Sequence, residues 1–288
     1  MYESNSLLFK SRSVLGRLSA SFKFVNDHIG LLLRVGGMAL LPVSLLCGVY
    51  VAIMSSLASG GVAGWQVFVG GIVLLASLVL LCGFRSLLYV WLGQYADGKV
   101  CVEYSWKQLF EPMKRYAGRL LGAGVVSVVA VLACLAFCGG LFMLSPYTLI
   151  GTLPAVLFVL VPFAYLPAVY VFDGCSLGAA LVKSFRRGVP TWGAMFAVSL
   201  VAWVVCSLIA IVGSLSAIVG SLAVIFSLAD FSSEAVLPVY FPFLMFFFAV
   251  MAVWISSMAH SLVIVAGVFQ YGSVEASQRE WEEENQSL

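Results

Sequence analysis

Six apolar stretches, each long enough to carry a helix across a bilayer, dominate this chain and leave little room for anything else. They cover approximately residues 35–57, 65–93, 119–144, 148–172, 192–220 and 238–271. A hydrocarbon core takes about 20 helical residues. Charged residues are 10% of the 288 and mean hydropathy is +1.07, whereas soluble domains run at about a quarter charged. The expected fold class is therefore all-α, a polytopic bundle of six transmembrane helices. No charged block is long enough for a separate soluble domain. Residues 1–272 read as one integral membrane domain, and residues 273–288 as an acidic cytoplasmic tail with a solvated end.

The positions of the charges set the orientation. The turns after spans one and three carry none, and the turn after span five carries only Asp230 and Glu234. All 15 Lys and Arg lie on the opposite side: Lys10, Arg12, Arg17, Lys23 and Arg34; Arg85, Lys99, Lys107, Lys114, Arg115 and Arg119; Lys183, Arg186 and Arg187; and Arg279. Short loops rich in Lys and Arg stay cytoplasmic, which places both termini in the cytoplasm of a multi-pass inner-membrane protein. The first apolar run begins too far into the chain for an ordinary cleaved signal, so it is expected to remain as an anchor. The fifth segment, residues 192–228, is about twice the length one crossing needs. It either crosses once and folds back near Gly213, the reading preferred here, or crosses twice.

The stretch from Tyr170 to Val205 reads as a template for the rest. Phe172, Asp173 and Gly174 end an apolar segment, and Ser176 can cap a short helix. In that helix Leu177, Leu181 and Phe185 fall on one face and Lys183, Arg186 and Arg187 elsewhere, the pattern of a helix lying on a membrane surface. The same Ser-to-Gly spacing recurs from Ser19 to Gly36, with Phe22, Val25 and Ile29 as its apolar face, and from Ser105 to Gly122. This predicts three amphipathic cytoplasmic interface helices. The ends of the even spans also rhyme: Tyr95, Asp97, Gly98; Phe172, Asp173, Gly174; Gln270, Tyr271, Gly272. A threefold repeat of hairpins accounts for this, as does the abundance of Ser and Gly in such chains.

Few residues are candidates for chemistry. Arg85 lies deep in span two, where a cation needs protein, water or an anion beside it; the alternative is a long stem snorkelling to the interface. His260 sits among Ser256, Ser257 and Ser261, a proton relay or a packing hydrogen bond. Lys114, Arg115, Lys183, Arg186 and Arg187 match anionic lipid headgroups, and topology alone also explains them. Pro154, Pro162, Pro167, Pro238 and Pro242 kink spans four and six, and Gly118 with Gly122 and Gly213 with Ala217 permit close helix contact. The seven cysteines lack a CxxC spacing and read as small membrane residues, with Cys134 and Cys138, one turn apart, the only pair placed to chelate a soft metal. No phosphate loop, HExxH or GxSxG motif is present, so neither a catalytic residue, a metal nor a cofactor is expected.

The segment VYVFDGCSLGAALVKSFRRGVPTWGAMFAVSLVAWVV resembles a broad group of bacterial six-helix inner-membrane proteins, related to the membrane domain attached to some glycerophosphodiester phosphodiesterases. The acid and glycine after span four, Ser184 and Phe185, and the tryptophan opening span five carry the likeness. LSASFKFVNDHIGLLLRVGGMALLP and the FQY closing span six look similar too. The resemblance implies six spans with cytoplasmic connectors. Nothing in the chain matches the phosphodiesterases' separate catalytic barrel, so no activity is carried over. The expected function is a non-enzymatic scaffold or accessory subunit that contacts anionic lipid. Its expected partners are membrane lipids, other membrane proteins or a second copy, and not nucleic acid. The alternative is a small transporter or channel using Arg85, His260 and the kinked helices.

Overall fold

A computed structural model describes residues 8–60, 64–97, 106–145, 147–229 and 241–286. Readings that rest on Gly98, Lys99, Cys101, Ser105, Pro146, Asp230, Glu234 and Pro238 lie outside the described residues, as do the side chains of Trp106, Lys107, Phe110, Ala217 and Pro242. Among the described residues all regular structure is helical: α1 Val14–Asp27, α2 Ile29–Leu31, α3 Gly37–Gly60, α4 Gly64–Ala96, α5 Trp106–Leu144, α6 Thr148–Phe163, α7 Leu166–Phe172, α8 Leu177–Gly188, α9 Trp192–Ala229 and α10 Phe241–Gln286. A π-helical turn, Leu32–Gly36, joins α2 to α3.

Six stretches of these helices are long and apolar enough to span a membrane: Ile29–Ile53, Gly64–Ala96, Glu111–Met143, Ile150–Phe172, Trp192–Leu215 and Phe243–Gln286. The chain is an all-α, multi-pass membrane protein. Its outward surface agrees. On α5 the exposed residues include Val125, Val128, Val129, Leu132 and Leu135, an arrangement stable only where the solvent is lipid.

Four local expectations change. First, α5 is unbroken through Gly118 and Gly122, so the second basic stretch is the leading end of span three and not a separate surface helix. A Cβ on Gly118 meets nothing within 4 Å, and one on Gly122 meets only the Tyr170 ring at 3.7 Å, so neither glycine marks a close helix crossing. Second, α9 is one continuous helix, because no proline or reverse turn interrupts its hydrogen bonding at Gly213; the fold-back and the double crossing are both absent. Third, span four breaks at Ala164 and Tyr165, where Pro167 in the first turn of α7 has no N–H to continue the ladder. Fourth, α10 does not stop at the expected boundary after residue 272. It runs on to Gln286, with Ser273, Val274, Glu275 and Ala276 all buried.

The residues pack into two compact units. The first comprises Met1–Asp27, Arg85–Ala202 and Val263–Leu288. Its core gathers Leu8, Phe24, Leu92, Tyr165, Leu166, Val169 and Phe269, all almost fully enclosed. Here α1 buries Leu18, Ser21 and Phe24; of the expected apolar face Val25 packs on the core, Phe22 is exposed, and Ile29 falls beyond the helix, in α2. The buried stripe faces protein aromatics, since Phe24 meets Tyr95 edge-on at 5.0 Å. The second unit comprises His28–Phe84 and Trp203–Leu262. It is held by glycines at close helix crossings: a Cβ on Gly48 would lie 2.6 Å from Val250, and one on Gly213 would lie 2.4 Å from Ile255. Trp254 Nε1 donates to the Gly37 carbonyl at 3.1 Å, so α3 is fixed on α10 by shape and by a hydrogen bond.

Candidate functional site

The ends of the three even spans converge in the first unit. Tyr95 ends span two and lies 6.0 Å from Phe269; Phe172 ends span four and stacks on Tyr271 at 5.6 Å, an interplanar angle of 14°. The chain leaves Phe172 through Asp173 and Gly174. Gly174 has φ +67°, the left-handed conformation that costs an L side chain about 1–2 kcal/mol. Ser176 then caps α8 as expected, its Oγ accepting from Ala179 N at 3.4 Å. Arg119 seals the turn, donating to the carbonyls of Tyr170 at 3.0 Å and Gly174 at 3.3 Å. Gly174→Ala should therefore destabilise the protein by about 1–2 kcal/mol in an SDS titration of detergent-solubilised protein, through strain at this one turn. An unchanged midpoint would show that the turn relaxes.

On this frame lies a charged network. Asp173 accepts from the Tyr271 hydroxyl at 2.8 Å and is ion-paired with Lys183. Lys183 also lies 3.5 Å from Glu275, which pairs with Arg187 as well. Tyr165, freed to point inward by the break in span four, donates to the Tyr271 carbonyl at 3.3 Å. Glu275 is only 6% exposed, so its charge depends on these partners. The N-terminal segment joins from the other side. Arg17 donates to Gln270 Oε1 at 2.7 Å, to Ser273 Oγ at 3.0 Å and to the Arg12 carbonyl at 2.9 Å. Arg12 caps Phe269, its guanidinium 5.6 Å from the ring centre. Burial lowers the pKa of both arginines below the usual guanidinium value, with smaller opposing effects from Tyr95 on Arg12 and Tyr165 on Arg17.

The predicted membrane-surface helix α8 is thus held by protein. Ala180, Ser184 and Gly188 form its buried stripe, flanked by Leu181 on the core and by Phe185 edge-on to Phe163 at 5.3 Å. Gly188 lies against Pro162, where a Cβ would approach to 3.0 Å. Its outer side, together with Arg17, residues 190–191 and the end of α10, lines a groove of about 1150 Å³.

Of the residues singled out in the sequence, the groove collects Lys183, Arg186 and Arg187. Lys114 and Arg115 are exposed on α5, and Arg115 borders a smaller cavity of about 560 Å³ with Glu111 and Arg119. Arg85 is half-buried on α4, with its Nε enclosed and without a hydrogen-bond partner among the described residues. His260 is half-buried on α10, and its neighbour Ser261 bonds the Met258 carbonyl. Cys134 and Cys138 are free thiols. Among the described residues no group of three or more His, Cys, Asp or Glu could hold a metal ion.

No family model, curated protein or solved structure matches the chain. The site must therefore be read from its own chemistry, a cluster of cations arranged around Asp173 and the buried Glu275. Sequence reasoning missed Glu275, Arg17 and Gln270. A signal existed for Glu275: like Asp97 and Asp173, it is the first acid after an even span.

Proposed function

We propose that this chain is a non-enzymatic scaffold or accessory subunit of the bacterial inner membrane that contacts anionic lipid through its basic face. The positive-inside rule makes that face cytoplasmic, along with both termini. One observation carries the reading: the carboxylates at this site are spent on holding the chain, the partly exposed Asp173 on Lys183 and Tyr271, and the buried Glu275 on Lys183 and Arg187. The outward cations Lys114, Arg115 and Arg186 are left exposed. Each such cation near an anionic leaflet is worth about 1 kcal/mol. Purification in mild detergent followed by mass spectrometry of everything retained should find phosphatidylglycerol, cardiolipin or a membrane-protein partner in stoichiometric amount. Clean isolation with none of them overturns the reading.

The enclosed, unpartnered Nε of Arg85 favours a second reading, a small transporter or channel. Anion flux in proteoliposomes that disappears in Arg85→Gln would establish it, and flux equal to empty vesicles would dismiss it.

A further inference from the structure

Lys183 and Arg187 are compensated by Asp173 and Glu275, but among the described residues no carboxylate is paired with Arg17 or Arg186. Arg17 is half-buried and its acceptors are all neutral: an amide, a hydroxyl and a carbonyl. A half-desolvated guanidinium with neutral partners raises the local positive potential, and only an anion lowers it. The Nε2 of Gln270, whose other amide atom holds Arg17, is buried without an acceptor among the described residues.

Arg17 and Arg186 line the same groove, together with Lys183, Arg187 and one carboxylate, Glu282. The remaining lining includes the apolar Val182, Pro190, Val274 and Trp281. Val182 is 67% exposed and Trp281 65% exposed, so these side chains cover no other part of the described structure. Thr191, also in the lining, directly precedes the first residue of span five, so the groove lies beside the end of an apolar span. Guanidinium groups match phosphate oxygens in fork geometry. A free phosphate would satisfy the arginines and leave the apolar walls bare, whereas a molecule with both parts covers the whole surface.

We infer that this groove binds a phosphate-bearing amphiphile, an anionic phospholipid by class. Its phosphate lies between Arg17 and Arg186, and its apolar part runs along Val182, Pro190 and Trp281. The inference rests on the lipid-contact reading above and assigns it to one site.

The test is titration of full-length protein in mild detergent with dioctanoyl phosphatidylglycerol, read by native mass spectrometry. Arg17→Gln with Arg186→Gln should weaken binding about thirtyfold. Lys10→Gln with Lys23→Gln, equal in charge removed, exposed and outside the groove, should leave it unchanged. If the first pair fails to fold, Arg186→Gln alone, on an exposed side chain, should still read about fivefold. Trp281→Ala should weaken the lipid and leave inorganic phosphate unaffected. Equal losses in both pairs would overturn the site while keeping general lipid contact at the basic face. Inorganic phosphate binding as tightly as the lipid would overturn the amphiphile. Retention of no anionic lipid by the native protein would instead defeat the broader reading.

Discussion

Replacing Glu275 with Gln should destabilise the protein by about 3–5 kcal/mol, the largest single effect expected in this chain. The carboxylate is enclosed and meets Lys183 and Arg187 together, so its loss leaves Lys183 with Asp173 alone and Arg187 with no carboxylate among the described residues. Removing one member of a buried pair costs far more than the pair itself contributes, because the survivor keeps its desolvation penalty. The control is the double variant Glu275→Gln with Arg187→Gln. It should be less destabilised than the sum of the two single variants, since the second change removes a charge that the first stranded. Strict additivity in SDS titrations would show that the pair does not couple. The same single variant frees Arg187 in the groove, so it should bind anionic lipid more tightly per folded molecule.

The second large effect is expected at Gly272. A Cβ there would lie 2.5 Å from the carbonyl oxygen of Leu8, a backbone atom that cannot swing aside. Gly272→Ala should cost about 1–3 kcal/mol as forced overpacking. Its signature should be local, because Leu8 and Phe9 are buried against this part of α10 and Phe9 meets Tyr271 edge-on at 5.9 Å. Hydrogen exchange should rise over residues 8–17 while α6 and α7 stay protected. Gly267→Ala is the control: its Cβ meets nothing within 4 Å. That change should be neutral or gain up to about 1 kcal/mol of helix propensity. Equal behaviour of the two variants would mean that the N-terminal segment is not seated on Gly272.

Much of the candidate site was legible as parts. Ser176 as a cap, Gly174 as a turn, and Lys183, Arg186 and Arg187 as a basic cluster all follow from local rules that act over a few residues. What those parts face was not legible. Leu181 and Phe185 make the same helical stripe whether lipid or protein covers it, and periodicity cannot tell the two apart. The acidic end of the chain misled for a related reason. Composition reports that Glu275 to Glu284 is polar, but a buried acid is permitted wherever cations meet it, and those cations are about 90 residues away in sequence.

By itself the sequence determined an all-α chain whose described residues include six helices long and apolar enough to cross a membrane, because the lack of water in a bilayer makes length and hydropathy nearly sufficient conditions. Only the tertiary structure decided that the rhyming ends of the even spans share one aromatic core, and that α8 is clamped between Asp173 and Glu275. It also decided that Arg17 joins Arg186 across a groove. Pairings between distant residues depend on how helices rotate about their own axes, and an all-apolar helix carries almost no pattern to specify that rotation.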